Sequence, residues 1–192
     1  MKKKQSGNYF FILVLLFMLF SMPLIVAIVL YTKNPLWLQH KTINKGHLIL
    51  TTINLQQLKL IPGKKNYRSL KQFWFLFYLT QPSCRHLCQK NLYSLQHITQ
   101  ALGKNRYRVN YGLIVTENLV YPLTYNDPKL LHYRITKEKL SNFFGKLGIK
   151  NLKEGYFIAD PFGRIILYYL PNVQGKAIYD DLNRLLTVST LG

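Results

Sequence analysis

The sequence predicts an α/β fold, a mixed sheet flanked by helices, preceded by one N-terminal transmembrane helix. Three observations predict it: a long uncharged apolar run near the N-terminus, a short aromatic run of strand length further on, and apolar residues recurring at three- and four-residue steps after it.

The first run covers 23 residues, 9–31, without a charge. At about 1.5 Å per residue it reaches roughly 34 Å, enough for a hydrocarbon core of about 30 Å. Pro23 lies inside it, where it can kink the helix, a fault membrane helices tolerate. A buried core helix is rarely apolar on every face. A cleaved signal peptide has a shorter apolar region before a small-x-small site, whereas this run ends Ile28-Val29-Leu30-Tyr31, so it reads as an uncleaved signal anchor. Lys2, Lys3 and Lys4 precede it, and the positive-inside tendency then keeps residues 1–8 cytoplasmic. The remainder is expected outside, in the periplasm beyond a bacterial inner membrane. Lys33, Lys41 and Lys45 follow the span and weaken this asymmetry.

Residues 32–46 read as a juxtamembrane linker with Pro35 and an interfacial Trp37, and residues 47–192 as a single domain. In residues 47–61, Leu48, Leu50, Ile53, Leu55, Leu58 and Leu60 partly alternate, which suggests an extended entry or a short hairpin. Pro62-Gly63-Lys64-Lys65-Asn66 marks a turn. Phe73-Trp74-Phe75-Leu76-Phe77-Tyr78-Leu79 suits a central strand buried on both faces. Cys84, Cys88, Leu92, Leu95, Ile98 and Leu102 then line one face of a helix that Gly103 stops.

Val109, Tyr111, Leu113 and Val115 alternate in a strand over residues 106–116, and Asn126-Asp127-Pro128 marks a turn or helix start. Leu140, Phe143, Phe144 and Leu147 give a helix ending near Gly148. Residues 155–160 and 164–170 form two strands joined by the tight turn Asp160-Pro161-Phe162-Gly163. Ile178, Leu182, Leu185 and Leu186 line a last helix. Strand, helix, strand, helix, strand hairpin, helix is the thioredoxin-like order.

Composition bounds the partners. The formal charge is +19, from 26 Lys plus Arg against seven acids. The basic residues are scattered, with no dense block and no recognition-helix or RNA-binding signature, so no nucleic acid is expected. A basic surface beside anionic headgroups, or facing an acidic partner, accounts for them. The acids form no pair suited to hydrolysis; Glu117, Asp127, Glu138 and Glu154 read as surface loop or helix-end residues and Asp160 as a turn former. There is no Gly-rich phosphate loop, no Gly-x-Ser-x-Gly elbow and no four-ligand zinc pattern.

Chemistry therefore concentrates on the two cysteines, Cys84 and Cys88, where the central strand hands over to its helix. Four-residue spacing puts both sulfurs on one helix face. The helix N-terminus, with Arg85 and His86, favours a thiolate. Two such thiolates can form a disulfide if the first turn distorts, or hold a soft ion such as Cu(I). The bland alternative is a pair of inert cysteines packed into the core.

Strand, short loop, Cys-x-x-x-Cys and helix, followed by Tyr156-Phe157-Ile158-Ala159-Asp160-Pro161-Phe162-Gly163-Arg164, resembles the Sco/SenC family from about Phe73 onwards. The resemblance implies a membrane-anchored thioredoxin-like protein that delivers copper to cytochrome c oxidase or reduces its copper-site cysteines. An oxidase subunit or another assembly factor would be the partner. It implies Cys84 and Cys88 as copper ligands or as a thiol–disulfide oxidoreductase pair, with Cys84 attacking and Cys88 resolving. The histidine ligand usual before the strand at Tyr156 has no counterpart in Lys150-Asn151-Leu152-Lys153-Glu154-Gly155. Gln89 stands where a proline usually follows the second cysteine, and no counterpart of the thioredoxin cis-proline precedes Gly155.

Among the histidines, His86 is placed to tune thiolate acidity, and His97 is expected at the surface or its boundary. His132, in an expected loop Leu131-His132-Tyr133, is the candidate third metal ligand. Met1, Met18 and Met22 all precede the outer domain, so it holds no thioether ligand. The rival function is a non-catalytic, membrane-tethered interaction domain built on the same scaffold.

Overall fold

The computed structural model describes residues 7–33, 43–63, 72–80, 86–116, 127–148 and 154–190. The linker with Pro35 and Trp37, residues 64–66 of the first expected turn, Cys84, Glu117 and Asn126 lie outside them. The chain divides into two units, Met1–Thr42 and Ile43–Gly192.

In the first unit, helix α1 (Gly7–Lys33) runs continuously through Pro23. Phe10, Phe17 and Phe20 stand exposed, as do nearly all its other side chains. The helix is long and apolar enough to cross a membrane once.

The second unit is built on β3 (Trp74–Thr80), buried at every position. It pairs in parallel with β4 (Val109–Thr116) and antiparallel with β6 (Gly155–Ala159). Its alternate side chains enter two different cores. Trp74, Leu76 and Tyr78 pack with α2 (His86–Ala101) and α4 (Gly175–Val188), through Leu92, Leu95, Ile178 and Leu182. Phe75, Phe77 and Leu79 pack with α3 (Lys137–Lys146), through Leu140, Phe143 and Phe144. A strand covered on both faces needs no polar alternation, which is why its sequence is a continuous apolar run.

The sheet has seven strands, ordered β1-β7-β6-β3-β4-β5-β2, with helices on both faces. Three of its features refine or change the sequence expectation. Of the extended entry or short hairpin expected, the segment entering the domain takes the extended form. β1 (His47–Asn54) pairs with β7 (Arg164–Tyr169) at one edge, while β2 (Ile61–Pro62) pairs with β5 (Leu131–Ile135) at the other. A 3-10 turn, Leu55–Leu58, connects them and buries Leu55 and Leu58 in the α3-side core, a burial that a hairpin would forgo.

The second difference is β5 itself, expected as a loop. Leu131, Tyr133 and Ile135 are buried and alternate with half-buried His132 and Arg134, a two-residue period paired in parallel with β4. Gly112 on β4 permits the approach, because a Cβ there would meet the Leu131 carbonyl oxygen at 2.7 Å and the Phe75 ring at 2.9 Å. Asp127, which opens this strand, is buried rather than a surface residue: its carboxylate accepts from the Tyr111 hydroxyl and from the Lys129 amide.

Third, β4 starts at Val109 and not at Arg106, since a 3-10 turn, Gly103–Arg108, follows α2. The remaining elements match. Asp160 accepts from the Phe162 and Arg164 amides at 3.0 and 2.8 Å, and Gly163 closes the hairpin with a φ of 83°. At the start of the unit, Lys45 and Gly46 donate their amides to buried Asp181, which also accepts from Tyr169 at 2.9 Å.

Candidate functional site

β3 carries the chain to the cysteine-bearing segment, whose residues 81–85 lie outside the described structure, and α2 is described from His86. Cys88 occupies the first described turn of α2 and is 1% exposed, packed into the core between β3, α2 and α4. It is disulfide-bonded, and the chain's other cysteine is Cys84.

Beside Cys88 lies a network that the sequence reading missed. The Tyr78 hydroxyl donates to Glu154 Oε2 at 2.9 Å and accepts from Asn91 Nδ2 at 2.9 Å. Thr80 Oγ1 lies 3.4 Å from the same Glu154 oxygen. The Tyr156 hydroxyl donates to the Asn91 carbonyl at 3.4 Å, and its ring meets that of Tyr78 edge-on with centroids 4.9 Å apart. Burial pushes the Tyr78 hydroxyl well above the usual phenol range; the Asn91 bond pulls back and Glu154 adds to the rise. Burial raises Tyr156 in the same direction, opposed by Ser94 and reinforced by the charge of Glu154.

Glu154 is thus half-buried and engaged, and not the surface loop residue that was expected. The antiparallel pairing of β6 with β3 sets Gly155 opposite Leu79 and so returns Glu154 to the end of β3. The signal for it was Tyr78 itself, a hydroxyl within an apolar strand that needs an acceptor once buried.

The histidines are dispersed. His86 is exposed at the first residue of α2. His97 is exposed as expected, with Nδ1 2.9 Å from the Tyr93 carbonyl. His132 lies on β5, in register with Leu113, which in turn pairs with Tyr78. It therefore shares the α2 face of the sheet but stands two strand spacings, about 10 Å, from β3. Among the described residues, no three His, Cys, Asp or Glu side chains gather to hold a metal ion. A cleft of about 640 Å³ opens on the opposite, α3 face, lined in part by Leu58, Lys139, Phe143 and Lys146.

A central strand is followed by a helix that carries Cys88 in its first described turn, inside a mixed sheet with helices on both faces. Residues 74–189 match the family described as the transmembrane-like, thioredoxin-like, C-terminal domain. The chain belongs to that family. Sco proteins are among the structural neighbours of this transmembrane-like, thioredoxin-like domain. Apo Sco1 from Thermus thermophilus has a TM-score of 0.51 at 15% identity, covering 77% of this chain and 98% of that one. Yeast Sco1 has a TM-score of 0.50 at 15% identity, covering 63% and 84%. A copper-bound structure of yeast Sco1 has a TM-score of 0.49 at 15% identity, covering 63% and 82%. At such identities the likeness is one of fold. No curated protein matches the chain by sequence.

Proposed function

We propose that this chain is a membrane-tethered, Sco-like accessory factor for respiratory oxidase assembly, acting through Cys84 and Cys88 in thiol–disulfide exchange or in handling Cu(I) as cargo. The observation that carries the reading is the disulfide at Cys88, at the start of the helix that follows the central strand. A bridge between cysteines four residues apart closes almost no loop, so it contributes little as a structural staple. At a helix start, by contrast, the reduced pair gains thiolate character and reactivity.

In this reading the domain lies in the periplasm beyond a bacterial inner membrane, and the partner is an oxidase subunit or another assembly factor. The Cys84 thiolate attacks a partner disulfide and one partner sulfur leaves as thiolate. Cys88 then attacks Cys84 in the mixed disulfide, releasing the second partner thiol and passing two electrons to the partner. For Cu(I) as cargo, both thiolates ligate. The third donor is His132, water or a partner side chain.

The test is Cu(I) titration of the reduced full chain in detergent against a competing chelator, with Cys84→Ser/Cys88→Ser beside the wild type, and glutathione titration of the disulfide. Stoichiometric Cu(I) binding lost in the double variant supports copper handling. A reversible disulfide without such binding supports thiol exchange alone. Equal weak binding by both proteins, with no reversible disulfide, overturns the reading and leaves a non-catalytic interaction domain.

A further inference from the structure

The cleft on the α3 face has walls that the fold holds in place. One wall is the 3-10 turn Leu55–Leu58. Asn54 caps this turn by accepting from the Gln56 amide at 2.9 Å, and its Nδ2 donates to the Phe162 carbonyl at 3.1 Å. The Leu55 amide donates to the Gly163 carbonyl at 2.7 Å, so the turn is pinned to the tip of the β6–β7 hairpin. The other wall is α3, capped by Thr136 and anchored in the core through Leu140, Phe143 and Phe144. Side chains three, four and seven residues apart share one side of a helix, so Lys139, Asn142, Phe143 and Lys146 line the cleft together. At about 640 Å³ it falls within the size range of preformed ligand sites.

Its floor is apolar, because Ile53, Leu58 and Phe143 are buried core residues that reach it. Its rim is polar and basic. Lys139 and Lys146 stand two helical turns apart, about 10.5 Å along the axis. Glu138, the single acid of α3, is not among the described residues that line the cleft. The amides of Asn142 and, on the facing turn, Gln57 can each donate and accept, as a peptide backbone does. Gly145 leaves the α3 wall bare beside them. Its φ is not positive, and an added Cβ would meet no heavy atom within 4 Å among the described residues. Glycine weakens a helix relative to alanine, and what this one leaves is room in the cleft.

We propose that this cleft docks an extended acidic segment of a partner protein, with two carboxylates paired to Lys139 and Lys146 and one apolar side chain between them on the floor of Ile53, Leu58 and Phe143. Residues i, i+2 and i+4 of an extended segment point the same way and span about 13 Å. That span is within reach of two lysines whose flexible stems splay from the helix. A single free carboxylate or phosphate cannot meet both. The formal charge of +19 adds long-range attraction for an acidic partner. Cys88 belongs to the opposite face of the sheet, so the inference does not rest on the thiol-exchange reading and either can fail alone.

The experiment titrates the full chain in a non-ionic detergent into fluorescein-labelled pentapeptides and reads their anisotropy. One array holds Asp first and Glu last, with Leu, Ile, Val, Met or Phe at the centre and Ser between. A matched array carries Lys in place of both acids. Saturable binding of acidic peptides and none of the lysine array is expected. Raising the salt from about 50 to about 300 mM should weaken it, because the rim charges are screened. Gly145→Leu puts a side chain into the cleft and should weaken binding about tenfold or more. Lys139→Gln/Lys146→Gln should weaken it about fivefold, whereas Lys90→Gln/Lys104→Gln, an equal loss of charge at exposed sites outside the cleft, stays within about twofold of wild type. No binding by any acidic peptide, equal binding of the lysine array, or a Gly145→Leu chain that binds like wild type overturns the inference. If Gly145→Leu does not fold, the lysine pairs decide, and equal effects of the two pairs overturn it. A wild-type dimer that Gly145→Leu converts to a monomer would place a second copy of this chain in the cleft and overturn the assignment to another protein.

Discussion

The two faces of the sheet are built from the same strands but by different chemistry. On the α3 face the aromatics are mostly phenylalanine. Phe75 stacks on Phe77 and Phe77 on Phe157, with centroids 5.2 Å apart in each pair, and Phe143 meets Phe157 at 5.4 Å. On the α2/α4 face they are mostly tyrosine, and three of these donate to acids: Tyr78 to Glu154, Tyr111 to Asp127 and Tyr169 to Asp181. The first face is held by apolar burial and dispersion, which fix little about where loops must go. Each buried or half-buried carboxylate on the second face accepts from specific donors and so fixes a location. Asp181 holds the chain entry at Lys45 and Gly46, Asp127 the turn before β5, and Glu154 the flanks of the cysteine segment. The candidate site lies on the face whose geometry is set by hydrogen bonds.

The comparison is broken most directly by truncating an aromatic on each face. Phe157→Ala is expected to cost about 3–5 kcal/mol in urea unfolding, because the fully buried ring touches Phe77 and Phe143 and the cavity cannot collapse freely. Its neighbour on the other face, Tyr156→Phe, loses the 3.4 Å bond to the Asn91 carbonyl and the hydrogen bond with Ser94, and should cost about 1–2 kcal/mol. Equal costs would show that the two faces are not held differently.

Alkaline pH sharpens the contrast next. Burial raises Tyr78, Tyr156 and Tyr169 above their unfolded value of 10.0, with Glu154 adding for the first two and Asp181 for the third. A raised folded value means that the native state keeps protons that the unfolded state releases. Stability is therefore intact below about pH 10 and falls as pH rises beyond it. Each tyrosine contributes a slope of about 1.4 kcal/mol per pH unit, or about 4 for the three together. Urea midpoints measured at pH 9, 10 and 11 check this. Replacing the three with Phe should remove most of the slope, whereas changes among the phenylalanines leave it intact.

The same division explains what was legible in the sequence. Apolar periodicity revealed β3, α2, α3, α4 and the β6–β7 hairpin, since burial is written in residue type and spacing. It missed β5, where five residues alternate between half-buried His132 and Arg134 and their apolar neighbours behind an Asp-Pro turn signal. The opposite-edge placement of β1 and β2 depends on partners more than 70 residues away, His47 with Tyr168 and Ile61 with Arg134, which no local pattern encodes. Glu154, Asp127 and Asp181 were illegible as a class. An acid in a loop, or on a helix as Asp181 is, looks solvated until the fold brings a buried hydroxyl to it.

Asp181 offers the smallest and most local test. Its Oδ2 accepts from the Lys45 and Gly46 amides at 2.8 Å each and from Tyr169, while Asp180 pairs with Lys45 and Lys176 on the exposed side. Asp181→Asn replaces one acceptor oxygen by a donor and weakens the charge-assisted bonds to these amides, at a cost of about 2 kcal/mol. Because Asp181 is buried and the Asp180 pairs are exposed, Asp180→Asn should cost far less. Hydrogen exchange separates a local from a global effect. If Asp181 clasps the start of the domain, the Lys45 and Gly46 amides exchange faster in Asp181→Asn while those of β3 keep their protection relative to global stability. Uniform loss of protection along the chain would make Asp181 an ordinary core residue and the α2/α4 face no more position-specific than its phenylalanine counterpart.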